Sequence, residues 1–539
     1  MPVCNPRSWP LVPMLLVLVW SAPAQTDRYI VRFKDKSGTN FSSSKPEQFL
    51  SAKAIARRTK NNVAVTAEDF PVNPTYRQAL TTAGANVLFT SRWFNCALVE
   101  ATTQTSSVLG QLSMVSAVEY VAPGATATGR GSRVNKHQEQ MAGAASSSQL
   151  AMLGIDLLHS DGYTGTGVTI AVMDSGFPGV STLPAFDHLR AGGRIRDAFN
   201  FAYNRTDVDG FDTHGENVLS IMAAKAGSTF TGSAPDANYL LYVTEYVPSE
   251  YRVEEYNWLF AAERADSAGA DVINTSLGYF TFDDPSMDYT YGSMDGKTTL
   301  ISRAASMASD RGIIVVCSAG NEGAGSWKYI SAPADAKDVL AVGAVDPQGA
   351  KALFSSVGPT ADGRTKPDIM AQGAPAQFIN SSGITGSGSG TSFSSPVAAG
   401  LVAGLIQALP EYTSNELIAK VRQAGDRAQS PDNQYGFGIP GYIFFKRLIT
   451  GIPDDEQVRI YPNPGSGDLL KFSLPDGAAV DPVVAIIDPT GKQLLSGHAF
   501  QVDHQPGTFT FDTFGLPAGW YIVRIGFDGA QHRLRWVVR

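Results

Sequence analysis

Val168-Thr169-Ile170-Ala171-Val172-Met173-Asp174-Ser175-Gly176 is an almost unbroken apolar run that stops on a carboxylate and a turn. A run of this kind fits a parallel strand covered on both faces. Residues 239–243, 271–274, 312–317 and 339–345 repeat the pattern, and helical periodicity fills 254–268 and 299–310. Strands alternating with helices predict an α/β domain on a mostly parallel central sheet, ending near Arg447.

Outward from this domain the chain changes character. At 539 residues it has room for two to four domains. Its 53 glycines and 17% charged residues suit a loop-rich globular enzyme better than a coiled coil or a disordered chain. The net charge of -8 carries no Lys/Arg run, so neither nucleic acid nor an anionic membrane is expected as a partner. Arg7, the apolar stretch 11–20 and Ala22-Pro23-Ala24 read as a cleaved signal peptide over 1–24, too short to span a bilayer. Residues 25–123 show strand-like pieces and a basic helical stretch at 52–60, predicting a small α+β domain. The Gly-, Ser- and Ala-rich segment 124–148 reads as an exposed linker and a processing site. The α/β domain takes 149–448, and alternating runs at 483–487, 508–511 and 520–525 predict a β-sandwich over 455–539. Cys4 leaves with the signal, Cys96 falls in the 25–123 domain, and Cys317 ends an apolar strand, so no disulfide is expected in the mature chain.

Four short motifs carry the chemistry. Gly390-Thr391-Ser392-Phe393-Ser394-Ser395-Pro396 opens an apolar helix, with Pro396 expected in its first turn. Ser392 there is either a nucleophile at a helix N-terminus or merely its N-cap. A serine nucleophile needs a base and an orienting carboxylate. Among seven histidines, His214 opens a helix in Asp212-Thr213-His214-Gly215, whereas His159 and His188 read as exposed. Asp174 closes the first strand at the sheet edge where α/β sites collect. Asn321, in Ala319-Gly320-Asn321-Glu322-Gly323, is either an oxyanion donor or an ordinary turn residue.

Together Asp174, His214, Asn321 and Ser392 keep the chain order of the subtilisin family, and their local motifs resemble it as well. Ile273-Asn274-Thr275-Ser276-Leu277-Gly278 is similar to the strand lining that family's substrate cleft. The resemblance implies a subtilisin-like three-layer fold and a secreted serine endopeptidase working through an acyl-enzyme. Its triad is Asp174, His214 and Ser392, with Asn321 at the oxyanion. Ser276, Leu277, Gly278, Ser318, Ala319 and Gly320 then flank the substrate. Residues 25–123 resemble the inhibitory pro-domain of such enzymes. Ile460-Tyr461-Pro462-Asn463-Pro464 and Gly519-Trp520-Tyr521-Ile522-Val523 resemble the sorting domain of type IX secretion substrates. That implies a product secreted or held at the cell surface after crossing the periplasm of a Gram-negative cell. Protein substrates, the chain's own pro-domain and the secretion machinery are the implied partners.

Two features depart from the pattern. Glu216 follows His214-Gly215 where the family usually has Thr, placing an acid beside the expected base. Residues 282–295 form an acidic, aromatic insertion, read as a solvated loop, with a calcium ion on Asp283, Asp284, Asp288 and Asp295 as the alternative. No cofactor is required by the chemistry. Two rival readings are a catalytically silent binding protein and a sedolisin-type acid peptidase. The complete set of four residues disfavours the first, and His214 in place of a Glu base disfavours the second.

Overall fold

The computed structural model describes residues 25–124, 138–140, 147–209, 212–227, 229–450, 458–461, 463–474, 481–502, 507–527 and 530–539. The expected signal peptide and most of the expected linker lie outside these. The chain forms two compact units, one reaching Phe445 and one from Lys446 to Arg539.

The first unit begins with a four-stranded antiparallel sheet of β1 (Asp27–Phe33), β2 (Asn86–Ser91), β3 (Cys96–Ala101) and β4 (Val115–Pro123), in the order β2-β3-β1-β4. Period-2 alternation sends its side chains to two different cores. Tyr29, Val31 and Phe33 pack with Val99, Leu80 and Leu109 beneath the sheet's own helices. Ile30, Leu98, Trp93 and Cys96 instead join the core of the α/β domain.

After β5 (Gln138–Gln140) the central sheet is assembled from β6 (Thr169–Asp174), β7 (Ile195–Asn200), β10 (Asn238–Val243), β11 (Val272–Thr275), β12 (Ile314–Ser318), β13 (Leu340–Val345) and β14 (Ile369–Gln372). A two-residue hairpin, β8 (Lys225–Ala226) and β9 (Phe230–Thr231), lies between β7 and β10. The order of the central sheet is β14-β13-β12-β11-β6-β10-β7, and its strands are parallel. The expected strands recur within a residue or two. The edge strands β7 and β14 were not foreseen, and β7 is only partly buried, so it lacks an apolar run. Ala171, Met173, Leu240, Tyr242, Ile273, Val315 and Cys317 face the helices Val253–Ala268 and Leu300–Asp310. The helix Thr391–Ala408 packs across β11 to β14, buried from Thr391 to Leu405. Cys96 and Cys317 are both free and buried. Beside the sheet, β15 (Ala376–Ile379) and β16 (Thr385–Ser389) pair antiparallel, and β5 adds to β16.

The second unit is a sandwich. Its four-stranded sheets share a core of Leu470, Phe472, Phe509 and Phe511 from one and Val484, Ile486, Val523, Ile525 and Trp536 from the other. Among the described residues, no helix is long and apolar enough to cross a membrane.

Charge, as well as apolar area, joins the N-terminal sheet to the helix Val253–Ala268. Phe89 packs against Phe199, Phe201 and Phe260. Glu263 accepts from the Ser91 hydroxyl at 2.5 Å and from the Arg92 and Trp93 amides at 2.9 and 3.1 Å. Asp266, fully buried, accepts from Arg57, Arg58 and Arg92. Removing one member of such a network leaves buried charge uncompensated. Asp266→Ala is therefore expected to loosen the docking of residues 27–123 by about 3–5 kcal/mol. Hydrogen exchange checks this: β2 amides should exchange faster in the variant while β6 amides keep their protection.

Candidate active site

The carboxyl ends of the parallel strands open onto one cavity. It is lined by His214, Ser276, Leu277, Gly278, Ser318, Gly320, Asn321 and Ser392, together with acids not singled out from the sequence. Asp174 lies behind His214 with no exposed surface. Ala319 also lies behind the wall: it is fully buried, and its N–H donates to the Val342 carbonyl at 3.0 Å. The other five residues expected to flank the substrate, Ser276, Leu277, Gly278, Ser318 and Gly320, line the cavity.

Asp174 closes β6, and His214 begins the helix His214–Ala223. His214 Nδ1–H donates to Asp174 Oδ1 at 2.7 Å, and the Ser175 amide donates to the same oxygen at 2.8 Å. The helix reaches this close because Gly215 has no side chain. A Cβ there would lie 2.5 Å from the Gly176 carbonyl oxygen and 2.8 Å from the Asp174 Cβ. Thr-His-Gly is thus a packing requirement as well as a motif. Burial pushes the His214 pKa down, but Asp174 outweighs it, with Asp212 and Glu245 adding to the effect, so the imidazole titrates above its ordinary value.

Glu216 plays no part in this. Its side chain is fully buried and accepts from the Gly179 amide, away from the imidazole, so the acid expected beside the base is directed elsewhere. Burial raises its pKa, which the Gly179 hydrogen bond only partly offsets. His159 and His188 are half-buried rather than exposed, bonded at 3.0 Å to the Ser233 and Pro235 carbonyls.

Ser392 is not an N-cap. The cap position is Gly390, and Ser392 is the second residue of its helix. The Ser392 hydroxyl donates across to the Ser276 carbonyl at 3.1 Å. Pro396 also sits deeper than its expected place in the first turn, inside the helix. Lacking an N–H, it leaves the carbonyl four residues back without a helical donor. That carbonyl belongs to Ser392, and the Ser276 hydroxyl donates to it at 2.9 Å. The break in the ladder is filled by the cleft strand, which is stitched to the helix in both directions.

Asn321 follows β12 on the opposite wall. Its Oδ1 accepts from the Thr391 amide and the Thr391 hydroxyl, both at 2.9 Å. With the oxygen so fixed, the amide's NH2 half is the one left to donate into the cavity. Gly320 holds φ at 109°, and a Cβ there would come within 2.8 Å of the Ser356 hydroxyl. The Ser392 N–H, second in its helix, has no intrahelical acceptor, so two donors and a helix N-terminus converge where negative charge is favoured.

The acids of the 282–295 insertion are engaged locally. Asp283 accepts from the Glu250 amide, Asp284 from Ser286, Asp288 from Phe282, and Asp295 from Lys297 and Thr298. Among the described residues, the acids whose oxygens converge are Glu245, Glu250 and Glu254. Glu245 follows β10 at the sheet's carboxyl edge, a position that marks it in the sequence. Glu250 and Glu254 carry no such local mark.

Comparison with known proteins agrees with this geometry. A model of the subtilase family matches residues 165–438, the peptidase S8 propeptide domain of Bacteroidota matches 28–140, and a secretion system C-terminal sorting domain matches 459–539. Subtilisin NAT of Bacillus subtilis subsp. natto is 34% identical over 298 residues, 54% of this chain and 67% of its own length. The serine protease AprX of Bacillus subtilis (strain 168) is 30% identical over 305 residues, 51% of this chain and 65% of its own. The structure of the epidermin leader peptide processing serine protease from Staphylococcus aureus superposes with a TM-score of 0.56. It covers 80% of this chain and 100% of its own at 17% identity, a likeness of fold. The chain belongs to the subtilase family: it is a serine endopeptidase carrying a propeptide domain and a C-terminal sorting domain that directs it to secretion or the cell surface.

Proposed function

We propose that Ser392 is the nucleophile, His214 its general base and then general acid, and Asp174 the carboxylate that orients the imidazole. The observation that carries this reading is the buried 2.7 Å Asp174–His214 bond behind a cavity that Ser392 enters from a helix N-terminus. Asp174 fixes the Nδ1–H tautomer, which leaves Nε2 as the acceptor for the serine proton. Attack on the peptide carbonyl forms a tetrahedral intermediate, and His214 then protonates the departing amine. The Asn321 amide and the Ser392 N–H receive the oxyanion. The backbone along Ser276 to Gly278 and Ser318 to Gly320 flanks the substrate on two sides, an arrangement suited to an extended peptide. The reaction calls on no cofactor, because side chains handle each proton and charge. The propeptide domain, docked through Asp266 and Glu263, holds the enzyme inactive until the linker 124–148 is cut.

Labelling with a fluorophosphonate, followed by mass mapping, tests the nucleophile. The processed enzyme is expected to label at Ser392, and Ser392→Ala to lose about 10⁶ in kcat, the size found for the nucleophile of a subtilisin. A processed, folded enzyme without label would make the silent binding protein the better reading. Asn321→Ala is expected to lower kcat by about 10²–10³ with little change in KM, again the size measured for such a donor in a subtilisin.

The pH profile tests the base. His214 must be neutral to accept the proton, so kcat/KM should fall as pH drops through its pKa, which stands above the ordinary value of about 6.5. Asp212 helps raise that pKa, so Asp212→Asn should move the acid limb to lower pH. A profile still rising at pH 4 would instead point to a carboxyl base.

A further inference from the structure

In the peptidase reading above, the attacked carbonyl lies between Ser392 and Asn321. The segments 276–278 and 318–320 run up to that point from either side: Ser276 is tied to Ser392, and Gly320 adjoins Asn321. The side chain of the residue carrying this carbonyl therefore leaves between the two segments. Whatever closes the gap between them sets how long that side chain can be.

Ser331 lies in this gap. It lines the cavity and is 3% exposed. A Cβ on Gly278 would lie 2.2 Å from the Ser331 hydroxyl oxygen, and a Cβ on Gly320 would lie 3.1 Å from the same atom. One oxygen thus sits against both walls, at the level of their backbone rather than far beneath it. The chain holds it there from both sides. The Ser331 amide donates to the Ala319 carbonyl at 3.4 Å, and the next residue, Ala332, pairs with Tyr279 through bonds of 2.9 and 3.3 Å. The hydroxyl itself makes no hydrogen bond among the described residues, so it is directed at what enters the cavity rather than engaged by the backbone.

Two costs follow for a long or aromatic side chain. It must push aside an oxygen wedged between two backbone segments, and packed sites resist added groups. Being apolar, it also covers a hydroxyl that is then left with neither water nor protein as partner. A methyl or hydroxymethyl group is too short to meet either cost. Phe280, stacked on Trp327 with ring centroids 4.5 Å apart, also lines the cavity and would favour an aromatic guest. It is not among the atoms nearest a Cβ on either glycine, so the gap itself is governed by Ser331.

We propose that Ser331 limits the length of the side chain accepted at the residue whose carbonyl is attacked. By closing the gap between Gly278 and Gly320 it gives the enzyme a preference there for Ala and Ser over Leu and Phe. The proposal rests on the peptidase reading.

The test uses the secreted, processed enzyme and internally quenched peptides identical except for Ala, Ser, Leu or Phe at the residue preceding the cut. Mass spectrometry of the products identifies the bond that is cut. The Ala peptide is expected to exceed the Phe peptide in kcat/KM by about ten- to a hundredfold. Ser331→Ala removes the oxygen alone, and Ser331→Gly removes the whole side chain. The Phe-to-Ala ratio should therefore climb from the wild type through the first variant to the second, by about tenfold or more in all. A damaged site loses rate on every peptide, whereas a widened one gains on Phe, which separates this role from a merely structural one. Fluorophosphonate labelling shows that the site of each variant is assembled, and Ser331→Ala decides alone should Ser331→Gly fail to label. Wild-type enzyme that cuts the Phe or Leu peptide as fast as the Ala peptide would overturn the proposal. So would a Phe-to-Ala ratio unchanged in the labelled variants. Wild-type enzyme with no label and no hydrolysis of any peptide would instead sink the assignment of Ser392, and the role of Ser331 with it.

Discussion

Much of this structure depends on burying one carboxylate. Asp174 has no exposed surface, and a buried charge persists only where donors are brought to it. The Ser175 amide comes for free from the turn, but the His214 imidazole must be carried by another element. The helix His214–Ala223 therefore has to start against the end of β6, which is sterically open only because Gly215 lacks a Cβ. All ten residues of that helix are buried, so its apolar packing holds the imidazole in place. Electrostatics and packing thus support each other: the helix makes the charge tolerable, and the charge sets the tautomer.

The opposite wall is fixed by a different device. Placing Pro396 inside a helix ordinarily costs stability through a lost hydrogen bond. Here the orphaned Ser392 carbonyl is taken up by the Ser276 hydroxyl, while the Ser392 hydroxyl reaches back to the Ser276 carbonyl. The cleft strand and the helix start are tied at Ser276 and Ser392, which both line the cavity. Thr391 adds a third tie by holding the oxygen of Asn321. The two donors aimed at the cavity are consequently held just after β12 and at the start of a buried helix, and preorganised donors of this kind need little rearrangement as charge develops.

The propeptide domain has two buried faces, and this explains its dependence on the rest of the chain. One face of its sheet packs on its own helices, and the other supplies Ile30, Leu98, Trp93 and Cys96 to a core it shares with the helices Val253–Ala268 and Leu300–Asp310. Separation exposes that second face and strands the arginines around Asp266. The sandwich at 446–539 has its own core and carries the sorting match by itself.

The local pattern of the chain was enough to establish the class of fold and to point to the residues proposed for the reaction. Apolar runs such as 168–173 announce buried parallel strands because both faces are covered, and the four motifs around Asp174, His214, Asn321 and Ser392 each sit within a few residues. The sheet edges escaped this reading, since β7 is half-exposed and mixes charged with apolar residues. The roles of Pro396 and Glu216 also needed three dimensions, because each depends on what lies across from it: a hydroxyl from the residue after β11, an amide in the loop after β6. The acids that converge in the cavity are the clearest case. Glu245, Glu250 and Glu254 follow no recognisable spacing, and they converge only because the chain leaving β10 folds back over the start of the next helix. Periodicity and motif are properties of neighbouring residues, whereas a wall of like charge is a property of where distant backbone comes to rest.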